Sequence, residues 1–347
     1  RQRQMCIRDR LYRRYGDRVR CFTCIRRCIL RERASGFCGN YVNIGGRLYN
    51  IGYGLISAHE SRPIEIKPLF HFHPSSTAYT FSGWGCNFLC IWCQNYSLSK
   101  VKPLEIISDY IPPENMVKYA LLNGDDGLCA SFNEPTIHLE YLVDVFRVGR
   151  SKGLYNVIVT NASYTREALE TLIEAGLDAV SADIKGCPET YRRFQGIANP
   201  IGILENMRYA KEKGVHVETV FLIVPKANDD LDCIKWVINS HLKYLGPDTP
   251  IHINRYYPAY RYFEPPTPME TLYKAYEYAR ELGIKYVYIG NIIDTRYMNT
   301  YCPRCGKPVI LRSQYSTLKC NLTEDGRCRF CGERIELVGR CRKTRLI

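Results

Sequence analysis

Three cysteines stand close together in the chain as Cys86-x-x-x-Cys90-x-x-Cys93. Thiolates spaced this tightly can hold three irons of a cubane [4Fe–4S] cluster, which normally takes four cysteine ligands. No fourth cysteine lies nearby in the sequence, so one iron would stay open. The alternatives are a zinc site that takes its fourth ligand from far away, or three buried free thiols. Structural zinc sites usually show paired C-x-x-C knuckles, so the spacing favours a cluster.

An open iron can bind the amino and carboxylate groups of S-adenosylmethionine (SAM). Electron transfer from the cluster would then break a sulfonium C–S bond and release a 5′-deoxyadenosyl radical, while the protein positions and shields that radical. The three cysteines, called the trio below, therefore predict an enzyme whose reaction starts from a carbon radical.

A second group of cysteines lies near the end of the chain as two knuckles separated by 22 residues, Cys302-x-x-Cys305-Gly and Cys328-x-x-Cys331-Gly. The glycines allow the turns that direct backbone N–H groups at the thiolates. This pattern predicts a structural zinc ribbon with four cysteine ligands, with a second iron–sulfur site as the competing interpretation.

A third group stands near the beginning of the chain, with four cysteines within 18 residues: Cys21, Cys24, Cys28 and Cys38. Four thiols so close together predict a metal site, and both zinc and an auxiliary [4Fe–4S] cluster fit the pattern. The other cysteines are predicted to be ordinary buried residues or bystanders, namely Cys129, Cys187, Cys233, Cys320 and Cys341.

Between the trio and the last cysteine group, short apolar runs alternate with helical patterns. This βα repeat predicts an α/β fold with a parallel sheet of six or seven units, closed as a partial or full (β/α) barrel. Functional groups should then lie at the carboxyl ends of the strands. The predicted strands are 78–84, 128–133, 156–161, 179–184, 216–224, 251–257 and 286–290, and the clearest helices are Thr165–Ala175, Ile203–Lys213 and Met269–Leu282.

The 347 residues predict one large catalytic domain with small appendages. Residues 1–10 carry no apolar periodicity and resemble a translated sequencing-adapter fragment, so the fold prediction leaves them out. The predicted segments are a basic extension 1–20, a metal module 21–45, a barrel 46–300, a zinc-ribbon-like module 301–339 and a basic tail 340–347. No apolar stretch approaches the roughly 20 residues of a membrane span, and no secretory signal is visible, so we expect a cytoplasmic protein without a membrane partner.

The segment GCNFLCIWCQN (85–95) resembles the cluster loop of radical SAM enzymes. From about Leu11 to Gly339 the chain is similar to the AmmeMemoRadiSam-system radical SAM enzymes, relatives of the pyruvate formate-lyase activating enzyme. The stretches that carry this similarity are PIEIKPLFHF (63–72), SFNEPTI (131–137), VTNASYTREAL (159–169), SADIKG (181–186), GPDTPIHINRYYP (246–258) and NTYCPRCGK (299–307). The resemblance implies a radical SAM barrel, a [4Fe–4S] cluster and SAM.

The same resemblance implies which residues contact SAM, each set following a predicted strand. Trp92 matches the position that lies against the adenine, and the other implied contacts are Asn133, Glu134, Thr160, Asn161, Asp183, Lys185, His252 and Arg255. Structural roles compete with several of these. Trp92 could be a core aromatic residue, Glu134 could cap a helix, Asp183 and Lys185 could form a buried ion pair, and His252 could be a satisfied structural histidine.

The formal charge of +13 invites an RNA-binding interpretation, but most of it lies at the two ends. Residues 1–20 contribute +6 and residues 340–347 contribute +4, which leaves +3 for the body of the chain. Three hypotheses follow: an activating-enzyme-like enzyme that makes a radical on a protein or peptide, an enzyme that modifies RNA, and a non-catalytic Fe–S or zinc module. We favour the first, with an electron donor such as ferredoxin or flavodoxin.

Overall fold

The computed structural model describes residues 5–6 and 11–341. The predictions for residues 1–4 and 7–10 and for residues 342–347 of the basic tail therefore lie outside the described residues. None of the helices in the described residues combines the length and the apolar composition that a membrane span requires.

Six short strands form two small antiparallel sheets in the first 50 residues. The pair β5–β6 turns at Gly45 and Gly46, whose φ angles of +61° and +75° suit the two-residue hairpins that favour glycine. One sheet has the order β2–β3–β4 and the other has the order β1–β6–β5. The strands are β1 (Met5–Cys6), β2 (Tyr12–Tyr15), β3 (Arg18–Cys21), β4 (Ile29–Leu30), β5 (Tyr41–Ile44) and β6 (Arg47–Asn50).

The largest element is an eight-stranded sheet whose strands lie side by side in chain order. Seven strands are parallel, and only β7 pairs antiparallel, with β8. The strands are β7 (Ala58–Pro63), β8 (Thr77–Ser82), β9 (Gly127–Ala130), β10 (Tyr155–Thr160), β11 (Ala179–Asp183), β12 (His216–Ile223), β13 (Ile251–Arg255) and β14 (Val287–Gly290). Among the described strands, the edges β7 and β14 do not pair with each other, so the sheet is a partial barrel.

Helices connect the parallel strands. Thr165 and Asp230 begin two of them by accepting hydrogen bonds from the backbone N–H groups of Ala168 and Cys233, as N-caps do. The α-helices of the described residues are α1 (Tyr96–Ser99), α2 (Pro113–Leu122), α3 (Leu139–Ser151), α4 (Arg166–Ala175), α5 (Pro188–Thr190), α6 (Ile201–Glu212), α7 (Leu231–Leu245) and α8 (Met269–Glu281). A π-helical turn covers Tyr191–Gln195, and 3-10 turns cover Ile64–Ile66, Pro103–Glu105, Pro135–His138 and Thr295–Met298.

The main core lies between this sheet and its helices. Strands such as β9 are buried at every position, as expected for a parallel sheet covered on both faces. Side chains from α3, α4 and α6 pack onto the strands, with Leu142, Leu169 and Met207 almost wholly buried. The predicted α/β architecture is confirmed.

Three further strands follow the sheet and form a small antiparallel sheet with the order β15–β16–β17. They are β15 (Thr300–Tyr301), β16 (Pro308–Ser313) and β17 (Ser316–Cys320). The apolar cluster of this module also contains Tyr288 of β14, Tyr286 directly before β14, and Phe70 from the segment before β8. This module therefore packs against the edge strand and the amino end of the large sheet.

Candidate functional site

The trio lies on the loop that follows β8, at the carboxyl end of the parallel strands. The Cys86 sulfur accepts a hydrogen bond from the Phe88 backbone N–H at 3.4 Å, and the Cys93 sulfur contacts Ser99 Oγ at 3.1 Å. Lys100 Nζ donates to the Phe88 carbonyl at 2.9 Å and so holds the loop closed on α1. The loop has the predicted place at the mouth of the partial barrel.

Electrostatics in this loop disfavour ionised thiols without a metal. Burial raises the pKa of Cys86, and the neighbouring Cys90 and Glu134 act in the same direction. Burial also raises the pKa of Cys90, although Lys185 and Lys100 oppose it. Because metal ligation requires thiolates, bound cations would supply the positive charge that these buried sulfurs lack.

Gln195 contacts Cys90 from a distant part of the sequence. Its Oε1 accepts hydrogen bonds from the Cys90 backbone N–H at 3.2 Å and from the Cys90 thiol at 2.8 Å. Its Nε2 is buried and has no hydrogen-bond partner among the described residues. With Oε1 held by the Cys90 N–H, Nε2 is the group left to donate to a bound cofactor. This orphaned donor fits a sulfur-rich cofactor beside Cys90.

Glu134 ties together the loops that follow β9 and β10. One carboxylate oxygen accepts from the Thr136 N–H at 3.0 Å and from Thr160 Oγ1 at 2.7 Å, and the other accepts from the Asn161 N–H at 2.8 Å. The side chain is 2% exposed. It therefore has the capping role that competed with SAM binding, and its SAM contact remains a prediction.

The turn after β10 places an alanine in a backbone conformation that favours glycine. Ala162 has a φ of +53°, in the left-handed region that favours glycine. Asn161 supports the turn, since its Oδ1 accepts from the Ser163 N–H at 3.0 Å. Its Nδ2 donates to Asn87 Oδ1 at 2.9 Å, which joins this turn to the trio loop.

Two further predicted sets also lie at the mouth. Asn133 Nδ2 donates to the Gly85 carbonyl at 3.0 Å, directly before Cys86. Lys185 Nζ is 2.6 Å from Asp183 Oδ2, so the ion pair that competed with ligand binding forms. Burial alone would lower the pKa of Lys185, but Asp183 and Cys90 outweigh it and raise that pKa. Lys185 thus stays a cation near the trio.

Trp92 lies in an aromatic cluster on the other side of the trio loop. Its ring centroid is 5.0 Å from Phe194 and 5.6 Å from Tyr262, and it is 5% exposed. This packing matches the core-aromatic alternative. The predicted adenine contact stays a prediction.

The prediction that His252 and Arg255 both stand at the end of a strand is correct only for Arg255. Arg255 ends β13 and donates to the Thr267 carbonyl at 2.9 Å. His252 is the second residue of β13, so its side chain lies near the amino end of the sheet, away from the trio loop. The predicted strand 251–257 begins at the correct residue, so the error was to assign the whole HINR stretch to the end of a strand in which His252 is the second residue.

His252 belongs to a buried polar network centred on Glu218, which the sequence analysis missed. Glu218 is fully buried and lies 2.8 Å from His252 Nε2 and 3.0 Å from His216 Nε2. Burial alone would raise the pKa of Glu218, but these two histidines hold it well below the usual range. The His71 N–H also donates to Glu218 at 2.7 Å. This network supports the amino end of the sheet.

The C-terminal cysteines come together as predicted. Their sulfurs all lie within 4.8 Å of one another, and the pairs Cys302–Cys331 and Cys305–Cys328 are 3.5 and 3.8 Å apart. In both knuckles the following glycine N–H donates to the first cysteine's carbonyl at 2.9 Å, from Gly306 and Gly332. The two knuckles are thus alike, and the group could bind a metal.

The N-terminal cysteines surround a cavity whose lining includes Cys21, Cys24, Cys28 and Cys38. This module lies at the same end of the sheet as the trio, because the Ile25 N–H donates to the Ser163 carbonyl at 2.8 Å, beyond β10. The C-terminal group lies at the other end.

Cys320 and Cys341, predicted to be bystanders, pair as a disulfide with Cα atoms 6.2 Å apart.

Sequence reasoning found every cysteine group but missed Gln195 and Glu218. Both act on residues at least 34 positions away, Cys90 and His252 respectively. No local spacing links such partners. The one available signal was that polar residues occur within otherwise apolar or aromatic stretches. This signal does not show which residue each polar side chain contacts.

The chain is similar to several known proteins. A family model described as the Radical SAM superfamily matches residues 82–237. The uncharacterized protein MJ0808 of Methanocaldococcus jannaschii is 40% identical over 325 residues, which cover 93% of this chain and 96% of that protein. The pyruvate formate-lyase 1-activating enzyme of Escherichia coli is 26% identical over 153 residues, covering 43% of this chain and 61% of that enzyme. A crystallised domain of the pyruvate-formate lyase-activating enzyme from Bacteroides vulgatus has a TM-score of 0.41 at 19% identity, covering 48% of this chain and 99% of that one.

Proposed function

This chain belongs to the radical SAM superfamily, and we propose that it is an activating-enzyme-like member that abstracts a hydrogen atom from a protein or peptide. The observation that carries the proposal is the position of Cys86, Cys90 and Cys93 on the loop after β8, at the mouth of the partial barrel. When bound there, a [4Fe–4S] cluster supplies the electron that cleaves SAM into methionine and a 5′-deoxyadenosyl radical.

The chain's own residues would prepare this site in three ways. Cys86, Cys90 and Cys93 would bind three irons, and the amide of Gln195 would hold Cys90 in place. Lys185, kept protonated beside Asp183, would offset the negative charge of the thiolates. The buried ring cluster around Trp92 would exclude water from one side of the loop.

The SAM contacts are proposed at the loops that the structure gathers around the trio. Asn133, Glu134, Thr160, Asn161 and the pair Asp183–Lys185 lie there, and their polar groups hydrogen-bond to one another or to neighbouring loops. Arg255 is the last residue of β13, at the same end of the sheet. We retain Trp92 for the adenine and leave His252 out of the set, because it lies near the amino end of the sheet.

A polypeptide substrate is supported by two features of the chain. The edge strands β7 and β14 do not pair with each other among the described strands, so the barrel is not closed around the mouth. The body of the chain carries only +3, whereas surfaces that bind RNA are usually strongly basic. The similar Escherichia coli protein is named for activating pyruvate formate-lyase, itself a protein.

The proposed reaction is tested by anaerobic reconstitution with iron and sulfide, reduction with dithionite, and quantification of 5′-deoxyadenosine after SAM is added. We expect release by the wild type and by Cys129→Ala, which removes a buried cysteine outside every cysteine group. Cys90→Ala should reduce the yield to background. Equal yields from Cys90→Ala and wild type would refute the proposal.

A further inference from the structure

We infer that Cys21, Cys24, Cys28 and Cys38 hold a second [4Fe–4S] cluster, set against the trio loop, rather than a zinc ion. This inference does not depend on the proposed substrate. It follows from the spacing of the four sulfurs, the cavity between them, and the contacts that join this module to the trio.

The spacing of the sulfurs separates the two cofactors. A tetrahedral zinc with Zn–S bonds of about 2.3 Å brings its four sulfurs to within about 4 Å of one another. The C-terminal group has this compact arrangement, at 3.5 and 3.8 Å. Among the described residues it is the one group of three or more potential ligands whose atoms all lie within 4.8 Å. No three sulfurs of the N-terminal group are that close, although all four line one cavity.

A cubane cluster accounts for this wider spacing. Its four cysteines each bind a different iron, so their sulfurs surround a larger body than a single ion. Gly36 borders the space between them, because an added Cβ there would be in van der Waals contact with the sulfurs of both Cys28 and Cys38, at 3.9 Å from each. Phe37, Tyr41 and Ile137 complete an apolar wall around the space. Cys21, Cys24 and Cys38 are buried, so the space is shielded from solvent.

Polar groups at the edge of the cavity also suit an electron-rich cluster. The Thr23 N–H points at the Cys21 sulfur, at 3.5 Å. Hydrogen bonds of this kind to cysteine sulfur are one way in which proteins set the potential of an iron–sulfur cluster. A structural zinc site would not need a cavity of this kind.

Two residues connect the N-terminal site to the trio loop. Asn87, which directly follows Cys86, lines the N-terminal cavity. Arg26, which lies between Cys24 and Cys28, donates through Nε to the Asn87 carbonyl at 2.5 Å and through Nη2 to the Gln195 carbonyl at 2.8 Å. The same Gln195 contacts Cys90. The second cluster would therefore be a close neighbour of the first.

The test uses the full chain reconstituted anaerobically with iron and sulfide, with iron, sulfide and zinc measured per chain alongside Mössbauer and EPR spectra. The wild type should contain two [4Fe–4S] clusters and one zinc. The triple variant Cys86→Ala, Cys90→Ala and Cys93→Ala should keep half of the iron as a [4Fe–4S] cluster. Its reduced EPR signal should not respond to SAM, because four thiolates leave no open iron.

A complementary pair of variants completes the test. Cys24→Ala combined with Cys38→Ala should lose the other half of the iron and keep the SAM-responsive signal, whereas Cys129→Ala should keep both clusters. A second zinc in the wild type would overturn the inference. So would a triple variant that folds but holds no cluster. If the N-terminal double variant does not fold, the result for the triple variant decides between a cluster and a zinc ion. The loss of SAM cleavage in the double variant would not count against the second cluster.

Discussion

At the scale of single residues, the proposed chemistry depends on groups that the chain brings together from distant positions. Cys86, Cys90 and Cys93 form a local pattern, and that pattern alone predicts the cluster. The amide of Gln195 contacts Cys90 although the two residues are 105 positions apart, so the spacing of the three cysteines does not predict this contact. Hydrogen bonds to sulfur help to set the potential of an iron–sulfur cluster, so this amide should tune the reactive site.

Gln195→Leu should lower the midpoint potential of the trio cluster, because it removes a donor that stabilises the more negative, reduced state. A hydrogen bond worth about 1 kcal/mol corresponds to about 40 mV for one electron. Spectroelectrochemical titration measures the shift. Asn239→Leu, which removes an amide that contacts Tyr278 on the outer helices, should leave the potential unchanged. A lower cluster content at an unaltered potential in Gln195→Leu would instead mean a purely structural role.

At the scale of elements, the sequence predicted what local periodicity can encode. The seven apolar runs correspond to β8–β14 within a few residues, and Thr165 begins α4 as its N-cap. Strand β7 was missed because its sequence AHESRP is polar and lies at an edge, where burial does not shape the composition. The small N-terminal strands were missed for a related reason, because two to four residues are too few to show alternation. Strand β13 begins at the predicted residue, Ile251, so the strand prediction itself already placed His252 at the amino end of that strand.

The C-terminal cysteine module is predicted to bind one zinc and to serve stability. Cys305→Ser should release the zinc and lower the melting temperature by several degrees, because this small module has few apolar residues of its own. Its position at the amino end of the sheet predicts that iron content and 5′-deoxyadenosine release will persist. Elemental analysis, calorimetry and the nucleoside assay measure these effects, with Cys187→Ser as the control. Retention of zinc in Cys305→Ser, or loss of iron together with the zinc, would contradict this division of roles.

At the scale of the whole molecule, the three cysteine groups lie at different positions, and we expect them to have different roles. The N-terminal module joins the trio at the carboxyl ends of the strands, through Arg26 and the Ile25–Ser163 hydrogen bond. The C-terminal module contacts the other end of the sheet through Phe70 and Tyr286. The order of the three groups along the chain did not reveal this arrangement, because both flanking modules could have docked at either end.

The substrate class is tested on the intact enzyme by tracing hydrogen. Cells are grown on deuterated medium, and their extract is separated by molecular size. Each fraction is then incubated with enzyme, reductant and SAM. We expect deuterium to enter 5′-deoxyadenosine from the protein fraction, as seen by mass spectrometry, and to be lost after protease treatment but not after ribonuclease treatment. Transfer only from the small-molecule fraction, or transfer sensitive to ribonuclease alone, would exclude a polypeptide substrate.

The central claim is that three cysteines hold a cluster with one iron open to SAM. The most direct measurement is the EPR spectrum of the dithionite-reduced protein before and after SAM is added. We predict that SAM changes the [4Fe–4S]⁺ signal of the wild type and of Cys129→Ala, and that this response is absent from Cys90→Ala. A wild-type signal that stays the same when saturating SAM is added would contradict the claim.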